Sequence, residues 1–158
     1  RIYMKNYIWV GAIVACLLTA SVNAQEATWN DAQKEVWGLV QQSWMDDVAE
    51  NGKWPAEYIH DSYVSWGDSS AAPRYKDAVV AWSRFSDENN KTIMYEVTPA
   101  AIVVVMDTAV VHYHATTVTE DHKGERKQSV SRISEILIRD GSSWKWITGI
   151  NYEPKLNN

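Results

Sequence analysis

Cysteine, phenylalanine and proline are scarce in this chain. The single cysteine, Cys16, excludes an internal disulfide, so stability must come from a buried core. No internal repeat or low-complexity segment is present, and 158 residues suit one domain. The aromatic content comes almost entirely from nine Trp and eight Tyr. Rings that carry a polar atom suit a core bordering a partly wet cavity, although the same residues would also fill a small solid core.

Basic residues are too few to suggest an anionic partner. The chain has fifteen Lys and Arg and twenty Asp and Glu residues, which gives a net charge of −5 at pH 7. We therefore expect no nucleic acid and no anionic membrane surface among the partners. The chain is 46% hydrophobic and 22% charged, a composition typical of globular proteins.

The first 24 residues predict a secretory signal peptide. Lys5 gives a short basic start, Ile8 to Ala20 is mostly apolar, and Val22-Asn23-Ala24 places small or branched residues where a signal peptidase cleaves. The apolar stretch is short for a membrane span. We expect cleavage to leave 25–158 as one exported domain, periplasmic or secreted, without a membrane span. Because Cys16 lies in a lipobox-like sequence, lipid anchoring through it is the alternative.

Three N-terminal helices are predicted from capping signals and apolar spacing. The first is a long amphipathic helix over about 29–50, capped by Thr28. The second is short, over about 55–60, with a proline in its first turn. Apolar residues at helical spacing predict the third over about 75–86, and a short extended segment is predicted at 63–66.

The second half of the chain predicts a meandering, mostly antiparallel sheet. Four long strands are expected, at 92–106, 109–120, 125–139 and 144–152. Pro99 marks an edge or bulged position, and Asp140-Gly141 is a strong hairpin signal. Helices followed by such a sheet make an α+β fold. Strands of this length coil, so helices packed on the concave face leave a cone with a pocket.

Two motifs resemble those of a known superfamily. Met106-Asp107-Thr108-Ala109-Val110-Val111 and Asp140-Gly141-Ser142-Ser143-Trp144-Lys145-Trp146-Ile147 resemble paired signatures of the nuclear transport factor 2-like (NTF2-like) superfamily, most closely its SnoaL-like and DUF4440-type proteins. The second motif departs from the pattern by an extra Ser before Trp144 and by Trp146 before Ile147. His60-Asp61-Ser62-Tyr63-Val64-Ser65-Trp66 is similar to the segment after the second helix in that family.

The resemblance implies a fold more firmly than a function. It implies a cone-shaped α+β barrel that is often a homodimer through its sheet. The superfamily includes ketosteroid isomerases, scytalone dehydratase, polyketide cyclases and many members that only bind, so fold alone assigns no chemistry. Our first hypothesis is a pocket that binds a small apolar or ring-containing molecule, with no cofactor and no assigned activity. The alternatives are a cofactor-free lyase or isomerase acting on a cyclic ketone or polyketide-like substrate, and a non-catalytic dimerisation or partner-docking module.

His112 and His114 are the candidate catalytic residues of the enzyme hypothesis. They lie two apart on a strand and so share a face, and imidazole suits acid–base work near neutral pH. Asp61 or Tyr63 would orient the base. The alternative is that the pair faces solvent or a dimer interface, because the opposite face, with Val111 and Tyr113, is more apolar. A His-x-His pair without converging further ligands does not predict a metal site.

The expected pocket wall combines aromatic, aliphatic and polar side chains. It is predicted to contain His60, Trp66, Tyr75, Trp82, Arg132, Trp146, Thr148 and Ile150. An inward Arg132 would indicate an acidic ligand, whereas an edge-exposed Arg132 would indicate nothing. Thr148 and Ile150 give the last strand a hydroxyl and an aliphatic side chain rather than an acid–base group. This favours ligand binding over proton transfer. Asp61 also suits a structural role as a cap of the turn after the second helix.

Overall fold

The structure is a computed structural model that describes residues 28–67 and 70–154. The predicted signal peptide, with its cleavage site and Cys16, lies outside the described residues. The described elements are, in chain order, α1 (Asp31–Val48), β1 (Val64–Ser65), β2 (Arg74–Tyr75), α2 (Lys76–Asn89), β3 (Asn90–Val105), β4 (Thr108–Asp121), β5 (Arg126–Asp140) and β6 (Ser143–Tyr152). Neither helix among the described residues is long and apolar enough to cross a membrane.

Helix α1 begins two residues later than predicted. Asn30, with extended backbone, is its N-cap: the Asn30 side chain accepts from the Gln33 backbone N–H, and Gln33 Oε1 accepts from the Asn30 N–H, both at 3.0 Å. This reciprocal pair is a complete capping box. The predicted cap at Thr28 is therefore wrong, because Asn30 is the N-cap and forms the capping box with Gln33.

The predicted second helix, over 55–60, is wrong, and its backbone instead bonds to the last strand. The His60 N–H donates to the Trp146 carbonyl at 2.9 Å, and the Trp146 N–H donates to the Tyr58 carbonyl at 3.2 Å. Ile59 thereby bridges Trp146 in parallel, after turns that begin at Trp54. The described residues hold two helices rather than three, and α2 matches the predicted third helix with its end three residues later.

The four long strands form one antiparallel sheet in the order β3-β4-β5-β6. Each strand end lies within two residues of its predicted position. Pro99 lies in the edge strand β3, beside a register shift between Pro99 and Ala101, so both parts of its prediction are confirmed. Another register shift lies in β6, where Ile136 pairs with Thr148 but Leu137 pairs with Trp146. Ile147 is thus a bulge that changes which residues of β6 face inward.

The core lies between the concave face of the sheet and α1. Alternation along β4 buries Val111, Tyr113 and Ala115 and exposes the residues between them. From α1, Val36, Trp37, Val40 and the preceding Trp29 pack against that face, together with Ile102, Leu137, Trp144 and Trp146 of the other strands. Burying each large apolar side chain contributes about 1.5–3 kcal/mol. The α+β prediction of helices on a curved antiparallel sheet holds, with one helix fewer.

Candidate functional site

A cavity of about 650 Å³ opens between α1, the β1–β2 pair and the concave face of β4, β5 and β6. Its volume lies in the range of small-molecule sites. Helix α1 contributes residues near its C-terminal end, and the sheet contributes the floor. The residues that line it include Ser43, Trp44, Asp47, Trp54, Tyr63, Ser65, Arg74, Tyr113, Ile133, Glu135, Trp146, Gly149, Ile150 and Glu153.

The aromatic wall of the cavity is held by contacts between its own rings. Trp146 meets Trp54 edge to face, with ring centroids 5.5 Å apart. Trp44 stacks on Tyr95 of β3 at 5.7 Å, and its indole N–H donates to the Tyr113 hydroxyl at 3.1 Å. Each such ring pair adds about 0.5–1.5 kcal/mol beyond burial. The wall is therefore preorganised rather than assembled when a ligand enters.

Glu135 lies on the floor of the cavity, among apolar neighbours of β5. The bulge in β6 places Gly149 opposite it, where a Cβ would come within 3.3 Å of Glu135 Cγ. A side chain at 149 would thus crowd the carboxylate. Burial raises the pKa of Glu135 to about 7, and the neighbouring Trp146 indole and Tyr113 hydroxyl lower it only in part. Glu135 Oε2 is buried, and no group in the described part of the chain forms a hydrogen bond of regular geometry with it.

A second carboxyl in the cavity also titrates near neutral pH. Burial raises the pKa of Asp47 to about 6, with a contribution from the charges of Asp87 and Glu50. The pKa of the Tyr113 hydroxyl is raised well above its ordinary value, first by burial and then by the charge of Glu135. Tyr113 is therefore a hydrogen-bond donor throughout the physiological range. The cavity combines two carboxyl groups able to hold or release a proton with one fixed hydroxyl.

His112 and His114 lie on the outer face of the sheet, away from the cavity. Both are exposed, and His112 Nδ1 lies 2.8 Å from Ser134 Oγ on the neighbouring strand. Because strand faces alternate, burying Tyr113 inward turns both histidines outward. This corrects the expectation that they line the pocket and agrees with the alternative. In the described part of the chain, no three His, Cys, Asp or Glu side chains converge to hold a metal ion.

Three of the other predicted residues line the cavity, namely Tyr63, Trp146 and Ile150. Thr148 does not, because the bulge at Ile147 places it in register with Ile136 on the outer face. Asp61 does not line the cavity either. Its exposed carboxylate is 2.8 Å from Lys76 Nζ, and this hydrogen bond holds its pKa below the usual value. Asp61 therefore forms an ion pair with Lys76 and does not orient a base in the cavity.

The remaining predicted wall residues also lie outside the main cavity. His60 accepts the Ser62 N–H through Nδ1 and forms part of a turn. Trp66 and Tyr75 are 61% and 67% exposed, and Trp82 lines a separate depression of about 230 Å³. Arg132 is exposed on the outer face in register with His114, so it gives no indication of an acidic ligand. These five residues do not line the main cavity, which corrects the expectation that they form its wall.

Sequence reasoning missed Trp44, Asp47, Trp54, Tyr113 and Glu135 as site residues. The sequence did contain a signal for Glu135. It is a lone carboxylate in the mostly apolar segment Ile133-Ser134-Glu135-Ile136-Leu137, on the strand face opposite Arg132. For Tyr113 the signal was its place on the more apolar face of its strand. Asp47 carried no local signal, and Trp54 reaches the cavity through its contact with Trp146 of β6.

Comparison with known proteins establishes the fold. No protein-family model matches the chain, and no curated protein sequence matches it. Among solved structures, a ketosteroid isomerase-like protein from Erwinia carotovora atroseptica is similar at TM-score 0.70 and 11% identity, covering 81% of this chain and 100% of that one. An NTF2-like protein with a cystatin-like fold from Novosphingobium aromaticivorans is similar at TM-score 0.62 and 16% identity, covering 89% and 90%.

A third similar structure is a putative calcium/calmodulin-dependent protein kinase II association domain from Xanthomonas campestris. Its TM-score is 0.62 at 16% identity, and the match covers 77% of this chain and 88% of that one. At such identities the likeness concerns the fold alone. The chain has the fold of NTF2-like proteins, and that prediction from its motifs is confirmed. Its placement among SnoaL-like or DUF4440-type proteins stays a prediction.

Proposed function

We propose that this protein binds a small ring-containing molecule in the cavity between α1 and the concave face, as a SnoaL-like pocket protein without an assigned activity. The observation that carries the proposal is the fixed aromatic wall around a cavity of about 650 Å³. Trp44, Tyr113 and Trp146 are held by packing and hydrogen bonding, so a flat ring stacks without first ordering them. Such a wall selects rings over extended aliphatic chains.

Calorimetry with 2-naphthylmethanol, a neutral bicyclic probe, tests the proposal. Ser65 lines the cavity from β1, so Ser65→Trp should narrow the cavity and weaken binding at least tenfold. Ser142→Trp makes the same change in an exposed turn and should bind like wild type. The proposal is contradicted if the probe does not bind wild type at millimolar concentration, or if both variants bind equally well.

Acid–base catalysis on a cyclic ketone is the second candidate function, and Glu135 favours it. A carboxyl with a pKa of about 7 beside the Tyr113 hydroxyl suits removal of a proton α to a carbonyl. In that reaction Glu135 takes the α proton, Tyr113 donates a hydrogen bond to the developing oxyanion, and the proton returns at the γ carbon. The histidines of the original hypothesis lie outside the cavity, so Glu135 replaces them as the base.

Conversion of 3-cyclohexenone to the conjugated 2-cyclohexenone, followed by ultraviolet absorbance, tests this second candidate. Glu135→Gln should lower the rate about 10²–10⁴-fold, the usual contribution of a general base. Tyr113→Phe should lower it less, since it removes one hydrogen bond. A wild-type rate equal to the buffer rate, or a rate unaffected by Glu135→Gln, would reject the catalytic candidate and leave the binding proposal standing.

We further propose a homodimer formed through the outer face of the sheet. That face carries the exposed hydrophobic side chains Met94, Val103, Val105, Val130 and Tyr152, which share it by strand register. Several exposed apolar side chains on one face of a sheet are a feature of association surfaces. The similarity to a putative association domain from Xanthomonas campestris is compatible with it.

We propose that the protein is exported after cleavage behind residue 24. The support is the basic start, the apolar stretch and the small residues at 22–24. Intact-mass analysis of protein expressed in a bacterium with its leader tests this. A chain beginning at Gln25 is expected; a lipid-modified Cys16 would select the anchored alternative, and a retained leader would reject export by this route.

A further inference from the structure

We infer that the ligand of this cavity is a ring-containing amine whose protonated nitrogen pairs with the carboxylate of Glu135. The inference rests on the proposed binding function and names the chemical class of the ligand. It follows from a buried carboxyl without a cationic partner among the described residues, from the charge of the cavity lining, and from the rings around that carboxyl.

The first observation is the buried carboxyl without a cationic partner among the described residues. Glu135 Oε2 is buried at the cavity floor and receives no hydrogen bond of regular geometry from the described residues, although the Trp146 indole and the Tyr113 hydroxyl interact with the carboxyl. No Lys, Arg or His nitrogen in the described ranges is within ion-pair distance of Glu135. A buried carboxylate without a partner is costly, and a cationic donor offsets that cost. The chain itself supplies no such donor, so a ligand amine fits the position.

The second observation is the charge balance of the lining. Among the described lining residues, Asp47, Glu135 and Glu153 carry carboxylates, and Arg74 is the single cation. The Arg74 guanidinium lies 4.7 Å from the ring centroid of Trp82, and Glu153 is 3.8 Å from Lys127 at the surface. The interior of the cavity is therefore biased toward negative potential. Cations are favoured there and carboxylates are disfavoured.

The third observation is the kind of surface next to Glu135. The Trp146 indole and the Tyr113 hydroxyl both lie close enough to affect its pKa. Aromatic faces attract cations, and the attraction is stronger where water is displaced. An amine attached to a ring can thus pair with the carboxylate while its ring stacks on the wall. The combination selects an aromatic or cyclic amine over a simple alkylamine.

Three matched probes separate charge from ring binding in the full-length protein. They are 2-naphthylmethylamine, 2-naphthylmethanol and 2-naphthoate, measured by calorimetry at pH 8. The amine should bind about tenfold tighter than the alcohol, as expected for one charge-assisted hydrogen bond in a partly buried site, and the carboxylate should bind weakest. Glu135→Gln should remove the difference, so that amine and alcohol bind this variant with about equal affinity. Glu135→Asp keeps the charge and should retain the preference.

Glu96→Gln is the matched control, because Glu96 is an exposed strand carboxylate in register with Thr116, away from the cavity. It should keep the wild-type preference for the amine. Equal affinity for amine and alcohol in wild type, or an amine preference that survives Glu135→Gln, would overturn the inference and leave the proposed function intact. If none of the three probes binds, the proposed function fails and the inference falls with it.

Discussion

Single residues decide the chemistry of the cavity, and Glu135 is the clearest case. Burial raises its pKa from an ordinary 4.5 to about 7 in the folded chain. Between pH 4.5 and about pH 7, the carboxyl of residue 135 is mostly ionised in the unfolded chain but still protonated in the folded chain. The free energy of unfolding therefore falls as pH rises through this window, and above about pH 7 the loss is complete. A shift of this size corresponds to roughly 3 kcal/mol.

Replacing this carboxyl removes its pH-dependent cost. We predict that Glu135→Gln raises the free energy of unfolding by about 2–3 kcal/mol at pH 8.5 and changes it little at pH 4, where the wild-type carboxyl is neutral in both states. Urea denaturation at a series of pH values measures the difference. Glu96→Gln should show no such trend. Parallel pH profiles for wild type and Glu135→Gln would contradict the buried, raised-pKa state of Glu135.

The same carboxyl makes ligand binding pH-dependent. An amine probe pairs with the ionised form of Glu135, whereas the free protein at pH 6 holds that carboxyl mostly protonated. Binding then requires release of a proton, so the affinity for 2-naphthylmethylamine should fall up to tenfold between pH 8 and pH 6. The affinity for 2-naphthylmethanol should change little. Glu135→Gln should remove the pH dependence of amine binding. If this variant keeps the same pH dependence, the effect would be assigned to Asp47 instead.

At the scale of elements, α1 is stabilised at one end and functional at the other. Its N-cap is Asn30, whereas Ser43, Trp44 and Asp47 reach the cavity near its C-terminal end. We predict that Asn30→Ala lowers the free energy of unfolding by about 1 kcal/mol and that Asn30→Asp, which keeps an acceptor, does not. Affinity for 2-naphthylmethanol should be unchanged in both. Equal stability of all three proteins would contradict the observed cap.

Elements whose signals are local could be predicted from the sequence. Turn residues and alternation located all four long strands, because hairpin turns and strand faces are determined within a few residues of each other. The helix over 55–60 could not be ruled out locally. The Tyr58 carbonyl and the His60 N–H bond to the backbone of Trp146, about ninety residues away, and no local pattern contains that partner. In this segment a tertiary contact overrides the local helix propensity.

The candidate site was predicted less well because it depends on which sheet face is concave. Alternation established that His112 and His114 share a face, but only the packing of α1 against Tyr113 decides which face is inside. The bulge at Ile147 then reversed the facing of Thr148 and Gly149. Trp146 lies before that bulge and lines the cavity.

At the scale of the whole molecule, the sheet presents two faces with different roles. The concave face holds the cavity, and the outer face exposes Val103, which is 53% accessible. We predict a dimer by light scattering after gel filtration, and Val103→Glu should halve the measured mass by placing a charge in the proposed interface. Ala81→Glu, on the exposed side of α2, should remain dimeric. A monomeric wild type would contradict the proposed homodimer without affecting the cavity.

The claim that a ring binds between α1 and the concave face is tested most directly by NMR. Each tryptophan indole N–H gives a separate signal, and the indoles lie at different distances from the cavity. Titration with 2-naphthylmethanol should shift the signals of Trp44, Trp54 and Trp146, which line the cavity, and leave those of Trp66 and Trp82 in place. Shifts confined to Trp66 and Trp82, or no shift at millimolar probe, would contradict it.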